Sequence, residues 1–315
     1  MDDGRTTLRR RLLRLLPALG VRVIDLAPGV AVLSRSPATR TRRLMPGAYL
    51  AETGRRADLA VTAIGDDTVL ISRAGRRWRQ TMTTERTLIQ SLVPGVLMAH
   101  FDRYGVNCVL DVGANRGQYA RRLRRAGYTG WIVSFEPVPE EFARLRAAAA
   151  EDPTWSVHPV ALGSENGSLE MHVTPGTLSS PLPATDFGES RFPSLRGTQL
   201  HQVPVRRLED LLDEVLHGLP DPRPFLKMDT QGYDVEVFRG LGKRAREFVG
   251  LQSEVALMRL YEGMPRMAEA LGVYEEAGFE VSGMYPVNRE ENSGRVLEFD
   301  CLMVRADALD AQSPR

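Results

Sequence analysis

The chain has 315 residues, of which 43% are hydrophobic and 26% charged, and its formal net charge is +1 at pH 7. This is the balance of an ordinary globular protein, long enough for one large domain or for one domain with an extension. Two cysteines, Cys108 and Cys301, exclude a disulfide framework and lack metal-ligand spacing, and nothing in the composition contradicts a cytoplasmic location.

The amino-terminal part of the chain is basic, with 16 Arg and 7 acidic residues in residues 1–80, whereas the remainder is acidic. Leucines at helical spacing among arginines in residues 5–19 predict an amphipathic helix. That helix would either pack on the main domain or make peripheral contact with an anionic membrane. No stretch is long and apolar enough to span a bilayer. No nucleic-acid-binding motif accompanies the arginines, so nucleic acid is not an expected partner.

Three segments follow from the pattern along the chain. Residues 1–84 form a basic extension with small β and helical elements, including short strands over 58–64 and 68–73. A main domain covers residues 85–305, and residues 306–315 form a tail. The main domain is predicted to open with a helix over residues 85–105, capped by Thr84 and kinked by Pro94.

From residue 107 onward, strands and helices alternate. Apolar runs predict strands over residues 107–113, 131–137, 155–162, 168–173, 224–230, 248–255, 279–286 and 296–305. Helices are predicted over residues 118–127, 139–150, 205–216, 234–241 and 264–278. The alternation predicts an α/β fold with an open, mostly parallel sheet covered on both faces. The last two strands have no helix between them, so we expect them to pair antiparallel at one edge. The long loop over residues 174–202 is of the kind that is usually functional or mobile.

A glycine turn, DVGANRG, follows the first strand of the main domain and opens a helix. Ligands of open parallel sheets bind beyond the carboxyl ends of the strands. Gly113 and Gly117 permit close approach of a ligand, and the helix amino terminus favours a carboxylate. The turn matches neither a dinucleotide fingerprint nor a P-loop. Asp111 would repel a pyrophosphate but can accept hydrogen bonds from an amino group, so the turn suits a ligand with an amino-acid portion and no phosphate.

The second strand ends in Glu136, and a carboxylate at this position can accept hydrogen bonds from both ribose hydroxyls. A nucleoside joined to an amino acid without phosphates describes S-adenosylmethionine. Each residue also has an ordinary structural explanation, since Asp111 could cap the helix and Glu136 could be a strand-end charge. The two together, at the ends of successive strands, favour the cofactor.

Four stretches, in order, resemble the FkbM family of S-adenosylmethionine-dependent methyltransferases: LDVGANRGQYA, FEPVPEEFARL, VALGSENGSLEMHV and FLKMDTQGYDVEVFRG. The resemblance covers roughly residues 85–305. The family commonly has a small residue at the position of Tyr233 and a glutamate at that of Asp234. The resemblance implies a Rossmann-like class I methyltransferase fold, with a mostly parallel seven-stranded sheet, an antiparallel edge strand and, here, an N-terminal extension.

By that resemblance, the methionine end of the cofactor would lie against the glycine turn, the ribose against Glu136 and the adenine beside the end of the third strand. The cofactor-binding residues would then be Asp111, Gly113, Asn115, Gly117, Glu136, Ala161 and Leu162. The family acts mostly on hydroxyl groups of sugars and natural products. This implies O-methylation of a small-molecule or glycosylated acceptor, such as a glycolipid, whose identity the sequence leaves open.

A hydroxyl is a poor nucleophile, so a base or a metal ion must help to remove its proton. Asp229 and Glu254, at the ends of neighbouring strands, are the first two candidate bases, and His201, in the loop before the 205–216 helix, is the third. The two carboxylates could also hold a divalent cation such as Mg²⁺ through oxygen ligands, and Asp234 could add a further ligand. The alternative for Asp229 is a cofactor contact or a cap on the following turn.

Two other functions stay open at this point. The chain could be a catalytically silent methyltransferase-like adaptor that acts through its basic amino-terminal region. It could also be a nicotinamide-dependent oxidoreductase, which the broken glycine pattern disfavours. A homo-oligomer is also open, because residues 1–80 could cover a partner subunit as easily as their own domain.

Overall fold

The computed structural model describes residues 22–27, 30–34, 39–45, 48–53, 58–63, 69–73, 77–290 and 292–308. The amphipathic helix expected over residues 5–19 lies outside the described residues. The chain divides into two compact units, Met1–Thr87 and Leu88–Arg315. In the described part of the chain, no helix has the length and apolar character needed to cross a membrane.

The amino-terminal unit contains two antiparallel sheets. The first pairs β1 (Arg22–Ala27) with β2 (Val30–Ser34). The second has the order β3-β4-β5-β6 and consists of β3 (Thr39–Met45), β4 (Ala48–Thr53), β5 (Asp58–Ala63) and β6 (Val69–Arg73). The strands predicted over residues 58–64 and 68–73 are confirmed as the antiparallel pair β5 and β6.

A long helix, α1 (Arg77–Tyr104), follows these sheets. Its predicted start was wrong, because Thr84 lies inside the helix and does not cap it. No glycine or proline occurs between Arg77 and Val93, so nothing stops helical hydrogen bonding from extending upstream.

The carboxy-terminal unit contains a seven-stranded sheet with the order β15-β16-β14-β13-β7-β8-β9. Its strands are β7 (Cys108–Val112), β8 (Trp131–Phe135), β9 (Trp155–His158), β13 (Pro224–Met228), β14 (Gly250–Ala256), β15 (Phe279–Arg289) and β16 (Val296–Arg305). The five strands from β14 to β9 are parallel, and the final pair is antiparallel at one edge, as predicted. The predicted sheet architecture is therefore confirmed.

Helices cover this sheet and bury its central strands on both faces. The helices of this unit after α1 are α2 (Gln118–Arg125), α3 (Pro139–Ala149), α4 (Asp186–Arg191), α5 (Leu208–Val215), α6 (Asp234–Arg239) and α7 (Met267–Glu276). Every residue of β7 and β13 is buried as a result.

A three-stranded sheet differs from the prediction. It has the order β10-β12-β11, with β10 (Ala161–Leu162), β11 (Gly167–Val173) and β12 (Gln199–Arg206). The single strand predicted over residues 155–162 is broken, because its first half pairs with β8 and its second half with β12. Pro159 lies between the halves and cannot donate a backbone hydrogen bond to a ladder. The sequence pattern does not predict β12, because its residues fall at the end of the loop predicted over 174–202 and at the start of the helix predicted over 205–216.

The strand order places a topological switch between β7 and β13. From β7 the chain adds β8 and β9 on one side and then crosses to add β13 and β14 on the other. The connections that leave β7 and β13 therefore diverge and open a crevice beyond the carboxyl ends of these strands.

Gly113 lies at this crevice in a left-handed conformation with φ of 72°, and an added Cβ would lie 2.1 Å from the carbonyl oxygen of Asp229. We expect Gly113→Ala to lower the free energy of unfolding by at least about 1–2 kcal/mol, because of backbone strain and the forced separation of two strand ends. Gly272→Ala is the matched control, since Gly272 lies in α7 with open space around it and alanine favours a helix. Urea unfolding measures both variants, and equal stability of the two would contradict this expectation.

Candidate active site

A cleft lies beyond the carboxyl ends of β7, β8 and β13. The loop over residues 174–198 contributes Thr177, Ser179 and Pro181 to its wall. Six of the residues singled out from the sequence line it: Gly113, Asn115, Glu136, Ala161, Leu162 and Asp229. Asp111, Gly117, His201 and Glu254 do not line it.

Glu136 is fixed at the cleft by the backbone. Only 5% of the residue is exposed, and its Oε2 and Oε1 accept hydrogen bonds of 2.8 Å from the backbone N–H of Asn115 and of Val138. Burial raises the pKa of Glu136 to about 7, although the two backbone donors oppose the shift. A carboxylate has about four acceptor positions in all. Glu136 can therefore still accept two hydrogen bonds from a ligand.

The wall next to Glu136 is apolar. Ala161, Met171 and Val138 are buried there in a small cluster with side chains of β12. Val160 and Leu162 complete this wall. The three-stranded sheet thus provides a surface for an uncharged ring, next to a carboxylate that can accept hydrogen bonds from hydroxyl groups.

Asn115 joins the glycine turn to the loop over residues 174–198. It adopts a left-handed conformation with φ of 48°, and its Nδ2 donates to the carbonyl oxygen of Gly176 at 2.9 Å. Gly117, by contrast, faces the interior, because an added Cβ would lie 2.7 Å from the Trp155 ring. The structure therefore does not bring Gly117 to the cleft wall, and this glycine allows α2 to pack against β9.

Asp111 is also placed differently from the expectation. It is fully buried behind the cleft, and its Oδ1 lies 2.9 Å from Nζ of Lys227. The two residues are direct neighbours in the β7–β13 register. Burial lowers the pKa of Lys227, but nearby carboxylates, first that of Asp111, outweigh it, so the pKa is raised and the ammonium stays charged. The amino group that Asp111 contacts is therefore the side-chain ammonium of Lys227, whereas the sequence predicted the amino group of a ligand. A lysine in an otherwise apolar strand was the sequence signal for this pair.

Asp229 is the exposed carboxylate of the site. Its side chain is 45% exposed, its Oδ1 accepts from Nε2 of Gln231 at 3.0 Å, and its Oδ2 lies 3.7 Å from Nζ of Lys227. Glu254 lies behind Gln231 and accepts from the same Nε2 at 3.1 Å. The structure therefore brings the first two candidate bases together, but only Asp229 faces the cleft.

Two further carboxyl groups, those of Glu298 and Asp300, lie close to Glu254. Glu254 pairs with Asp300 in the register and has Glu298 as its diagonal neighbour on the same face. Burial, with repulsion between carboxylates, raises the pKa of Glu298 to about 7 and that of Asp300 to about 6, and raises that of Glu254 well above its usual range. Among the described residues, no group of three His, Cys, Asp or Glu side chains could hold a metal ion. The cation expected at Asp229 and Glu254 is therefore not supported, and the Gln231 amide lies between these two carboxylates.

These raised pKa values make stability depend on pH. The carboxyls of Glu136, Glu298 and Asp300 have usual values of 4.5, 4.5 and 3.8, so between about pH 5 and 7 the folded protein binds more protons than the unfolded chain. We therefore expect the free energy of unfolding to fall as the pH rises through this window, by up to about 1.4 kcal/mol per pH unit for each proton. Urea midpoints at several pH values measure the slope, and Glu298→Gln should reduce it. Constant or rising stability between about pH 5 and 7 would contradict the expectation.

His201 is placed in β12 and not in a loop. It pairs with Met171 of β11, and its Nε2 lies 3.5 Å from Oε1 of Gln199. The structure therefore does not bring this third candidate base to the cleft wall, because strand pairing fixes its position on the small sheet.

One residue of the site, Gln231, has no role predicted from the sequence. Gln231 accepts at Oε1 from the hydroxyl of Tyr261 at 3.0 Å, and its carbonyl oxygen accepts from Ser180 Oγ at 2.7 Å. Asp234 accepts from Thr230, Ser253 and the backbone N–H of Glu254, which ties the turn after β13 to β14. The segment KMDTQGYD is recognisable as a motif, but no pattern in it indicates which residues its side chains contact.

The family model described as the methyltransferase FkbM domain matches residues 111–281, just over half of the chain. A 2-O-methyltransferase, NoeI, of Sinorhizobium fredii (strain NBRC 101917 / NGR234) is 26% identical over 185 residues, which are 56% of this chain and 74% of that protein. Methyltransferase 1 of Beauveria bassiana (strain ARSEF 2860) is 26% identical over 188 residues, which are 55% of this chain and 72% of that protein.

Similar solved structures include magnesium protoporphyrin IX methyltransferase from Synechocystis PCC 6803 with bound S-adenosylmethionine. That structure has a TM-score of 0.40 and 12% identity, and the match covers 74% of this chain and 86% of the other. Fibrillarin of Aeropyrum pernix in complex with S-adenosylmethionine has a TM-score of 0.38 and 10% identity, with 90% and 100% of the two chains covered.

Proposed function

The chain belongs to the FkbM family of methyltransferases, and we propose that this S-adenosylmethionine-dependent enzyme methylates a hydroxyl oxygen of a sugar or of a glycosylated small molecule. The single observation that carries the proposal is the position of Asp229, an exposed carboxylate in the same cleft as the buried carboxylate of Glu136. A relative named as a 2-O-methyltransferase supports transfer to oxygen. Family membership disfavours the oxidoreductase, and methyl transfer is the observation that separates the enzyme from the silent adaptor.

The cleft fits S-adenosylmethionine in its chemistry. Glu136 has acceptor positions left for the ribose hydroxyls, and the apolar wall of Ala161 and Leu162 suits the adenine. Of the described residues that line the cleft, none is a lysine or arginine, which agrees with a ligand that has no phosphate and carries a positive sulfur. Gly113 and Asn115 would hold the methionine end.

When bound, S-adenosylmethionine supplies a methyl group whose bond to sulfur breaks, with the electron pair left on sulfur, as the acceptor oxygen attacks. Asp229 would accept the proton of the attacking hydroxyl and then release it to solvent, to which it is open. The loop that carries Thr177 and Ser179 would orient the acceptor, because Asn115 ties this loop to the cofactor side of the cleft. Orientation of this kind contributes about 7–11 kcal/mol in well-positioned reactions.

A labelled-methyl screen tests the proposal. The full chain is incubated with radiolabelled S-adenosylmethionine and a panel of methyl glycosides and glycolipids, with and without a chelator. We expect label in at least one sugar hydroxyl and no loss with the chelator. Cofactor binding without transfer to any hydroxyl, or transfer to nitrogen or carbon alone, would contradict O-methylation. Loss of activity with the chelator would instead support the hypothesis that the reaction needs a divalent cation.

A further inference from the structure

Gln231 uses its whole carboxamide within the site. Its Nε2 donates to Asp229 Oδ1 at 3.0 Å and to Glu254 Oε2 at 3.1 Å, and its Oε1 accepts from the Tyr261 hydroxyl. The residue is 9% exposed, and its hydrogen bond with Tyr261 is buried, whereas its bonds to Asp229 and Glu254 are partly buried at the edge of the cleft. Hydrogen bonds to a charged group are stronger than neutral ones, and a partner lost in a buried place is not replaced.

The carboxylates determine which way the amide points. Only its NH₂ end has two donors, which match Oδ1 of Asp229 and Oε2 of Glu254, whereas the reversed amide would place Oε1 against the exposed carboxylate of Asp229. The hydroxyl of Tyr261, which is 1% exposed, lies 3.0 Å from Oε1 on the other side and 3.1 Å from the carbonyl oxygen of Leu178, and its single proton is shared between these two acceptors. Each end of the Gln231 side chain is therefore matched to one kind of partner.

The backbone of Gln231 is also held in place by a hydrogen bond. Its φ is 55°, a left-handed conformation that costs a non-glycine residue about 1–2 kcal/mol. The fully buried hydroxyl of Ser180 donates to its carbonyl oxygen at 2.7 Å. Strain that persists under such support is common at functional sites.

Resting on the proposed function, we infer that Gln231 is a positioning residue whose amide aims Asp229 into the cleft and keeps it apart from Glu254. The hydroxyl proton then moves to Asp229 and not to Glu254, which lies behind the amide. The neutral amide supplies the two donors that otherwise would have to come from water or a cation. Tyr261 takes part by holding the amide oxygen, and it touches neither carboxylate by a hydrogen bond in the described residues.

Steady-state kinetics of the full chain test the inference, with the methyl glycosides of rhamnose, fucose and glucose as acceptor probes. Gln231→Met keeps the length of the side chain without donors, and Gln231→Glu replaces the donors with an acceptor. We expect both to lower kcat about 10–100-fold, the usual cost of a lost positioning partner, while the Kd for S-adenosylmethionine changes less than threefold. Tyr261→Phe should lower kcat less than tenfold. Gln199→Met, on the exposed part of β12, is the matched control.

A second measurement needs no acceptor. The side-chain N–H₂ resonances of Gln231, identified by their loss in Gln231→Met, should both move in NMR spectra when the two carboxylates are changed in turn. One proton should respond to Asp229→Asn and the other to Glu254→Gln. If neither responds, or if Gln231→Met keeps the wild-type kcat, the inference is wrong.

The outcomes separate the two proposals. A wild-type chain that binds no S-adenosylmethionine in calorimetry would contradict the proposed function. If the wild type binds the cofactor but Gln231→Met loses cofactor affinity in proportion to its loss of kcat, Gln231 has a purely structural role. That result would overturn the inference and leave the proposed function standing. If none of the glycosides is methylated, the NMR result decides it.

Discussion

Asp229→Asn is expected to lower kcat for methyl transfer about 10²–10⁴-fold, the range measured for loss of a positioned general base. Asparagine has nearly the same shape, and its oxygen can still accept from Gln231, so the turn after β13 should keep its conformation. What is lost is the ability to take up a proton at the cleft wall. Steady-state kinetics with the acceptor found in the screen measure the effect, and calorimetry should show a Kd for S-adenosylmethionine within threefold of wild type.

The control for this variant is Asp102→Asn, which removes an exposed carboxylate of α1. It should keep wild-type turnover. A variant at Asp229 that retains more than a tenth of the activity would show that the hydroxyl proton leaves by another route, and Asp229 would then have only a binding or capping role.

Glu136→Ala is expected to raise the Kd for S-adenosylmethionine about 10–100-fold, because about 1.4–2.7 kcal/mol is the usual worth of hydrogen bonds to a buried charged group. Glu136→Gln should also weaken binding. Both oxygens of Glu136 accept from backbone N–H groups, and an amide would turn a donor toward one of them. Calorimetry measures both variants, with Glu140→Ala, an exposed acid in the first turn of α3, as the matched control.

Cofactor affinity should depend on pH through the same group. The pKa of Glu136 is raised to about 7, so below this pH the free protein carries the neutral acid, which has fewer acceptor positions. A ligand that needs the carboxylate must displace the proton. Its affinity should therefore fall by up to about tenfold per pH unit below pH 7 and level off above it. In Glu136→Ala this dependence should vanish, and equal affinity of the wild type at pH 6 and 8 would show that the cofactor displaces no proton from Glu136.

Much of the fold was available from the sequence, because its signals are local. Apolar runs separated by amphipathic helices indicate a parallel sheet without any knowledge of tertiary contacts. Two final strands joined by a short segment without a helix are expected to pair antiparallel. The same argument placed Glu136 and Asp229 at strand ends, and the structure lines the cleft with both. Where local signals conflicted, the prediction failed. The 155–162 run is predicted as one strand, but Pro159 interrupts it and its halves pair in two different sheets.

The roles of Asp111, Glu254 and Gln231 depend on which strands become neighbours. Lys227 faces Asp111 only because β13 lies beside β7 in one register, and that pairing joins residues far apart in the chain. In the same way, Glu254 meets Asp300 and the Gln231 amide only after β14 and the turn after β13 have packed together.

The sequence by itself determined the class of sheet, the glycine turn and the two carboxylates at the cleft wall, since strand ends and turns follow from short-range pattern. Only the tertiary structure decided which carboxylate is open to a ligand and which is paired with Lys227 or enclosed among other acids. The physical reason is that burial, and the charge of a neighbour a few ångströms away, determine what a carboxylate can do. Both depend on strand order and register, which no local pattern encodes.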